Sequence, residues 1–291
     1  MTDIASFGPH CTLGEGPLWH PERERLFWFD IPAGILYSTN PFGGQLQQWR
    51  FGEAASAAGW VDNDTLIVAT ETGLQKFDIP SGNWQTLAPL EDGNPITRSN
   101  DGRIGPDGAF WIGTMGHKLE PHVGSYYRYK NGQIHQLFDS VSVPNATCFA
   151  PDGSCAYLAD TFKQVIWQWP LDGDGNPTGE REKHIDLRDK NLNPDGAICD
   201  AEGFLWNAQW GASRIARYAP DGSLDKIIEL PVSQPTCPAF GGPDLKTLFI
   251  TSAREGLSEE ALAEQPDAGR TLRIEMDVPG IREFQASIIT A

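Results

Sequence analysis

Short apolar runs alternate along this chain with turns built from Gly, Pro, Asp and Asn. One pattern recurs: a turn, a short strand with an aromatic or aliphatic centre, then a small or acidic end. It appears as ERLFWFDI (24–31), NDTLIVAT (63–70), DGAFWIGT (107–114), DGSCAYLAD (152–160), EGFLWNAQW (202–210) and DLKTLFITS (244–252). Counted from Leu26 to Leu66, Phe110, Ala156, Leu205 and Leu248, the intervals are 40, 44, 46, 49 and 43 residues. That period suits four-stranded blades. A strand of small residues precedes each copy (GEGPLWHP, SAAGWV, NDGRIGP, NATCFAP, DGAICDA, TCPAFGG). An alternating strand follows (GILYST, GLQKFD, GSYYRY, QVIWQW, SRIARY, TLRIEM), and a fourth strand comes after most of these. The pattern predicts an all-β protein, a six-bladed β-propeller with four-stranded blades. A solenoid would need a shorter period, and a sandwich would not repeat six times. One helix is predicted over LSEEALAEQ (257–265), with Ser258 as its N-cap, inserted in the last blade. No linker or composition break interrupts the pattern, so residues 1–291 are expected to form a single domain. The pattern leaves open how the N-terminal residues and the C-terminal FQASII (284–289) close the ring.

Charge narrows the classes of partner. Lys and Arg total 22 against 39 Asp and Glu, a net charge of −17. A phosphate backbone or an anionic membrane repels such a chain, so neither is expected as a partner. No apolar run approaches the length of a membrane span, and MTDIASFGPH lacks the features of a secretory signal. The five Cys are odd in number and form no CxxC pair, which reads as reduced thiols in a cytoplasmic protein. No obligate protein partner is evident.

The candidate chemistry comes from aligning the repeats on the turn after each small-residue strand. Glu15 lies six residues before Pro21, Asn100 six before Pro106, Asn145 six before Pro151 and Asp195 six before Ala201. Ser56 and Cys237 (or Thr236) fall near the same level in the second and sixth units. Equivalent positions in a propeller ring its axis, so Glu15, Asn100, Asn145 and Asp195 should converge at one mouth of the channel. Two buried carboxylates there repel unless one is protonated or a cation intervenes. All-oxygen ligands favour a hard divalent ion: Ca²⁺, Mg²⁺ or Mn²⁺. Asp, Asn, Gly and Pro also cluster in ordinary turns; the shared offset in four units sets these residues apart.

Other motifs carry less. Asp172, Asp174 and Asn176 begin like a calcium-binding loop, but Pro177 and Lys183 occupy positions that need Gly and Glu, so the segment reads as an inter-strand loop. No GxSxG occurs, and the six His show no metal spacing. Arg98 and Asp101 flank Asn100, where an Arg can balance charge or donate to a substrate. His117 and Lys118 begin a loop to Gly124 that could carry specificity or be plain solvated loop.

At LGEGPLWHP, RSNDGRIGPDGAFWIGTM, VPNATCFAPDG, NPDGAICDAEGFLWNAQWG and FGGPDLKTLFITSA, the chain resembles the family of gluconolactonase, senescence marker protein (regucalcin) and luciferin-regenerating enzyme. These stretches span about residues 13 to 256. The resemblance implies a six-bladed propeller with one divalent metal in its channel, most expected as Ca²⁺, with Zn²⁺, Mn²⁺, Mg²⁺ and Fe²⁺ as alternatives. It implies Glu15, Asn145 and Asp195 as ligands, Arg98 and Asn100 as substrate contacts, and Asp195 as the catalytic base. The expected activity is hydrolysis of sugar aldonolactones of the gluconolactone, xylonolactone or arabinonolactone type. Some animal members carry a substrate-touching Glu shortly after GTM, where this chain has Lys118, so their sugar preference does not transfer. Two rivals stand beside this reading: a non-catalytic calcium-binding regulatory propeller, and a propeller hydrolase of organophosphates or aryl esters.

Overall fold

The second strand of each unit is apolar at its centre and buried along nearly its whole length, as in TLIVAT at Thr65–Thr70 and TLFITS at Thr247–Ser252. A strand buried on both faces must be covered on both sides. Six sheets cover one another in a ring. The computed structural model describes residues 3–288 and contains six antiparallel four-stranded sheets, a β-propeller. The innermost strands of blades 1 to 6 are Gly14–His20, Ala55–Asp62, Thr97–Ile104, Pro144–Phe149, Asn193–Cys199 and Pro235–Gly241. Trp111 and Trp206 sit at the same position of the second strand in blades 3 and 5, Trp28 lies two residues further along that strand in blade 1, and all three are among the largest fully buried side chains. They pack between blades, as their strand-centre positions predict.

The ring closes through the N-terminus. Blade 6 has three strands from the C-terminal part of the chain and takes Ile4–Phe7 as its outer strand, with Ile4 opposite Ile274. Among the described residues there is one α-helix, Glu259–Glu264, inserted between two strands of blade 6. The Ser258 hydroxyl accepts from the Ala261 N–H at 3.2 Å, the predicted cap. None of the described helices is long and apolar enough to cross a membrane.

The C-terminal segment does not add a strand. It crosses the end of the channel where the inner hairpins turn, donating from Gly280 to the Leu245 carbonyl, from Ala286 to Trp60 and from Ser287 to Gly108. Ile289, the last residue of FQASII, lies outside the described residues. Glu283 points into the channel from this segment. Its carboxylate meets the Arg103 guanidinium at 2.5 Å, and its carbonyl accepts from Trp60 Nε1 at 2.9 Å. Both charged side chains are buried. Removing one partner of such a pair strands the other charge out of water, at about 3–5 kcal/mol. Glu283→Ala is therefore expected to lose about that much stability. A urea titration followed by tryptophan fluorescence checks it, and an unchanged midpoint contradicts it.

Candidate active site

Every inner strand carries a one-residue bulge against its neighbour at the open end of the channel. In blade 1, Glu15 pairs with Phe29 and Leu18 with Phe27, leaving Gly16 and Pro17 opposite Trp28. In blade 4, Asn145 pairs with Ala159 and Cys148 with Tyr157. Blades 3 and 5 shift in the same way between Ser99 and Gly102 and between Pro194 and Ala197. A bulge bends its strand and re-aims the side chains beside it. Here the four predicted residues reach the axis by two routes. Glu15 and Asn145 immediately precede the bulge, whereas Asn100 and Asp195 are its first residue. The shared six-residue offset thus sums two different registers rather than marking one equivalent position. Gly16 follows Glu15 at φ +55°, and a Cβ there would meet the Ser56 carbonyl oxygen at 2.2 Å. Only glycine lets blade 1 turn so close to blade 2.

The four side chains meet. Glu15, Asn100, Asn145 and Asp195 are all buried and line one cavity of about 240 Å³, together with Arg98. Its outer wall is apolar, with Met115, Val143, Phe162 and Trp210. A second cavity of about 400 Å³ adjoins it through Leu13, Arg98 and Glu255, and is further lined by Glu53, Glu71 and His117. His117 Nε2 lies 3.2 Å from Glu71 Oε1, so this residue belongs to the second cavity. Lys118 is exposed on the loop beyond, its backbone N–H held by Glu120 at 2.9 Å.

The blades 2 and 6 counterparts serve the scaffold. Ser56 donates to the Ser99 hydroxyl at 2.8 Å, and Thr236 donates to the Gly14 carbonyl at 2.5 Å. Cys237 lines a small void below the site with Asp101, Arg103 and Glu283.

Directed hydrogen bonds order the amide side of the cavity. Arg98 Nη1 donates to Asn100 Oδ1 at 2.8 Å, and Asn100 Nδ2 donates to the Pro144 carbonyl at 2.9 Å and to Asn145 Oδ1 at 3.3 Å. Asn100 therefore has its oxygen occupied by Arg98, while Asn145 keeps lone-pair capacity toward the cavity. The carboxylate side is electrostatically strained. Burial pushes the Glu15 and Asp195 carboxyls well above the usual carboxylate range. For Asp195 the neighbouring Glu15 adds to this, and Asp101 raises both. The Gly16 N–H, donating to Glu15 Oε2 at 2.9 Å, relieves only part of it. Asp101, also buried, accepts from the Thr147 N–H at 2.6 Å. Burial depresses the pKa of the Arg98 guanidinium, opposed by Glu255, Glu15 and Glu71.

These groups test whether a divalent ion fits. Around the channel stand four buried carboxyls (Glu15, Asp101, Asp195, Glu283) and two guanidiniums (Arg98, Arg103); with all four ionised, 4 − 2 leaves two negative charges for protons or a cation to balance. A divalent cation supplies the missing charge, and Glu15, Asn145 and Asp195 offer it oxygen donors of the hard type. Among the described residues no group of three or more His, Cys, Asp or Glu side chains is placed to hold a metal. The set here draws its third oxygen from an amide. The residues present fit the ion.

Residues 13–254 match the family model described as SMP-30/Gluconolactonase/LRE-like region. The chain belongs to this family. It is similar to a 6-deoxy-6-sulfogluconolactonase of Pseudomonas putida, 36% identical over 272 residues (93% of this chain, 94% of that one). An L-arabinolactonase of Azospirillum brasilense is 36% identical over 263 residues, covering 89% and 86% of the two chains. A crystal structure of a calcium-binding protein, regucalcin, from Agrobacterium tumefaciens superposes with a TM-score of 0.94 at 38% identity, over 96% of this chain and 95% of that one.

Four features of this family member's site were not singled out from the sequence: Thr161, Phe162, Glu255 and the Arg103–Glu283 pair beneath the cavity. Thr161 follows Asp160, whose counterpart Asp30 has an isoleucine after it, so repeat comparison gives it no partner. An Asp101→Asn change removes one of the unbalanced negative charges and is expected to stabilise the cation-free protein at neutral pH. Thermal unfolding in excess chelator checks this, and a lower midpoint than the parent contradicts it.

Proposed function

We propose that this chain is a single-domain sugar lactone lactonase, a carboxylic ester hydrolase that opens aldonolactones to aldonic acids. The observation that carries this reading is the meeting of the Glu15–Asp195 carboxylate pair with the hydrogen-bonded Arg98–Asn100 pair in one buried cavity. Relatives bearing lactonase names at 36% identity over nearly the whole chain support the reaction class. Glu15, Asn145 and Asp195 would hold one divalent ion, with Ca²⁺ favoured by the calcium-binding relative. When bound, the ion supplies Lewis-acid polarisation and neutralises the carboxylates. A cytoplasmic setting fits the five cysteines, all of them free and buried.

The chain's own residues do the rest. Asp195 is the general base, its carboxylate oxygen taking a proton from the attacking water. The water oxygen bonds to the lactone carbonyl carbon, the ring C–O bond then breaks, and the ring oxygen leaves as an alcohol after gaining a proton. General-base help of this kind contributes about 10²–10⁴-fold. Arg98 and Asn100 hold substrate oxygens opposite the base, and the wall of Phe162 and Trp210 excludes water from one side. Asp195→Asn is expected to lower kcat by about 10²–10⁴-fold while the fold persists. Acid release from a glucono-, xylono- and arabinono-lactone panel, followed with a pH indicator, measures it; full turnover by the variant contradicts the assignment. Exhaustive chelation is expected to abolish hydrolysis, with Ca²⁺ or another divalent ion restoring it. Absence of turnover on the whole panel in the presence of each ion would favour the non-catalytic calcium-binding alternative.

The adjoining cavity bears on the substrate class. Glu53, Glu71 and Glu255 accept hydrogen bonds from the hydroxyls of an exocyclic chain and repel an anionic one. Uncharged aldonolactones are therefore expected to have a kcat/KM at least about tenfold above their 6-phosphate or 6-sulfonate analogues, which corresponds to about 1.4 kcal/mol of discrimination. Glu71→Gln is expected to narrow that gap, and equal use of both classes by the parent contradicts it.

A further inference from the structure

Thr161 stands at the head of a one-turn helix, Thr161–Lys163, on the loop between the second and third strands of blade 4. Its hydroxyl joins two of the candidate ligands. Asn145 Nδ2 donates to Thr161 Oγ1 at 2.8 Å, and Thr161 Oγ1 donates to the Pro194 carbonyl at 2.7 Å. The second bond decides the direction of the first. A carbonyl only accepts, so the single hydroxyl proton is committed to Pro194. The hydroxyl can then only accept from Asn145, which requires the amide nitrogen to face it. The amide oxygen is left facing Asn100 and the cavity. Pro194 immediately precedes Asp195, so the same hydroxyl also ties down the peptide that aims the base. The backbone is fixed in turn, since Thr161 N donates to the Val143 carbonyl at 2.9 Å.

We propose that Thr161 is a positioning residue: its hydroxyl locks the Asn145 amide with the oxygen toward the cavity and couples it to the strand bearing Asp195. The proposal rests on the assignment of Asn145 and Asp195 as cation ligands. Without the hydroxyl, the amide nitrogen loses its acceptor. The amide is then held only by the longer contact with Asn100, and its flipped form presents two N–H donors to a cation. Among the first residues after the second strand, only blade 4 supplies a hydroxyl. The counterparts are Ile31, Glu71, His117, Gly211 and Ala253 in blades 1, 2, 3, 5 and 6.

The test uses the full chain, stripped with chelator and titrated calorimetrically with CaCl₂, beside steady-state hydrolysis. Thr161→Val keeps the shape and removes both hydrogen bonds. It is expected to weaken Ca²⁺ binding about 10–100-fold, the range for loss of a group that orients a metal ligand. Its kcat is expected to fall with little change in KM. Thr161→Ser restores the hydroxyl and is expected to return Ca²⁺ affinity to within a few-fold of the parent. Ca²⁺ affinity unchanged in Thr161→Val, or equally weak in Thr161→Ser, overturns the proposal. Should Thr161→Val fail to fold, Thr161→Ala is read by the same two criteria. If the parent itself takes up none of Ca²⁺, Mn²⁺, Mg²⁺ or Zn²⁺, the cation assignment falls and takes the proposal with it, an outcome distinct from equal binding by parent and variant.

Discussion

Like charges held out of water at the axis of the ring are the constraint around which this molecule is arranged. Glu15, Asp101 and Asp195 are buried together; Asp101 raises the cost of ionising both Glu15 and Asp195, and Glu15 raises it further for Asp195. A fold tolerates such a cluster only if protons or a countercharge complete it. Backbone donors are too few: Gly16 gives one N–H to Glu15, and Thr147 gives one to Asp101. Arg103 is already engaged by Glu283. The bulges matter because they aim this deficit at the open cavity, where an ion can enter, instead of leaving it sealed in the sheet.

Repetition made much of this legible in the sequence. The strands could be read because six units of alternating and apolar segments recur, each with turn residues at its ends. The convergence of Glu15, Asn100, Asn145 and Asp195 could be read because the turn after each inner strand supplied a common reference. The offset concealed that two residues precede their bulges and two lie within them, since bulge placement depends on pairing with the next strand. Family resemblance covered the same stretches and added roles to positions already aligned.

The unrepeated parts stayed opaque for a physical reason. Glu283 meets Arg103 across a sequence separation of 180, and Ile4 pairs with Ile274 across almost the whole chain. Neither contact has a counterpart in another blade, so no internal alignment exposes it. Thr161 is hidden differently. Its importance lies in the direction of a hydroxyl proton, which follows from the Pro194 carbonyl and not from any local pattern.

The ring's pseudo-symmetry is broken in a way that suits directional chemistry. Of the cavity's negative groups, Glu15 and Asp195 come from blades 1 and 5 and Glu255 from blade 6, while Arg98 and the two amides come from blades 3 and 4. The positions in blades 2 and 6 carry short hydroxyls that bind neighbouring strands. Six equal ligands would enclose an ion on all sides. This distribution instead gives a carboxylate face opposed by a guanidinium–amide face, with the apolar wall and a second cavity beyond. In the proposed reaction, an oxygen of a bound ester between the faces would be polarised from one side, with Asp195 as base at the other. At the far end the channel is shut by Glu283 on Arg103, so the cavity opens to solvent in one direction and the reacting groups share a single entrance.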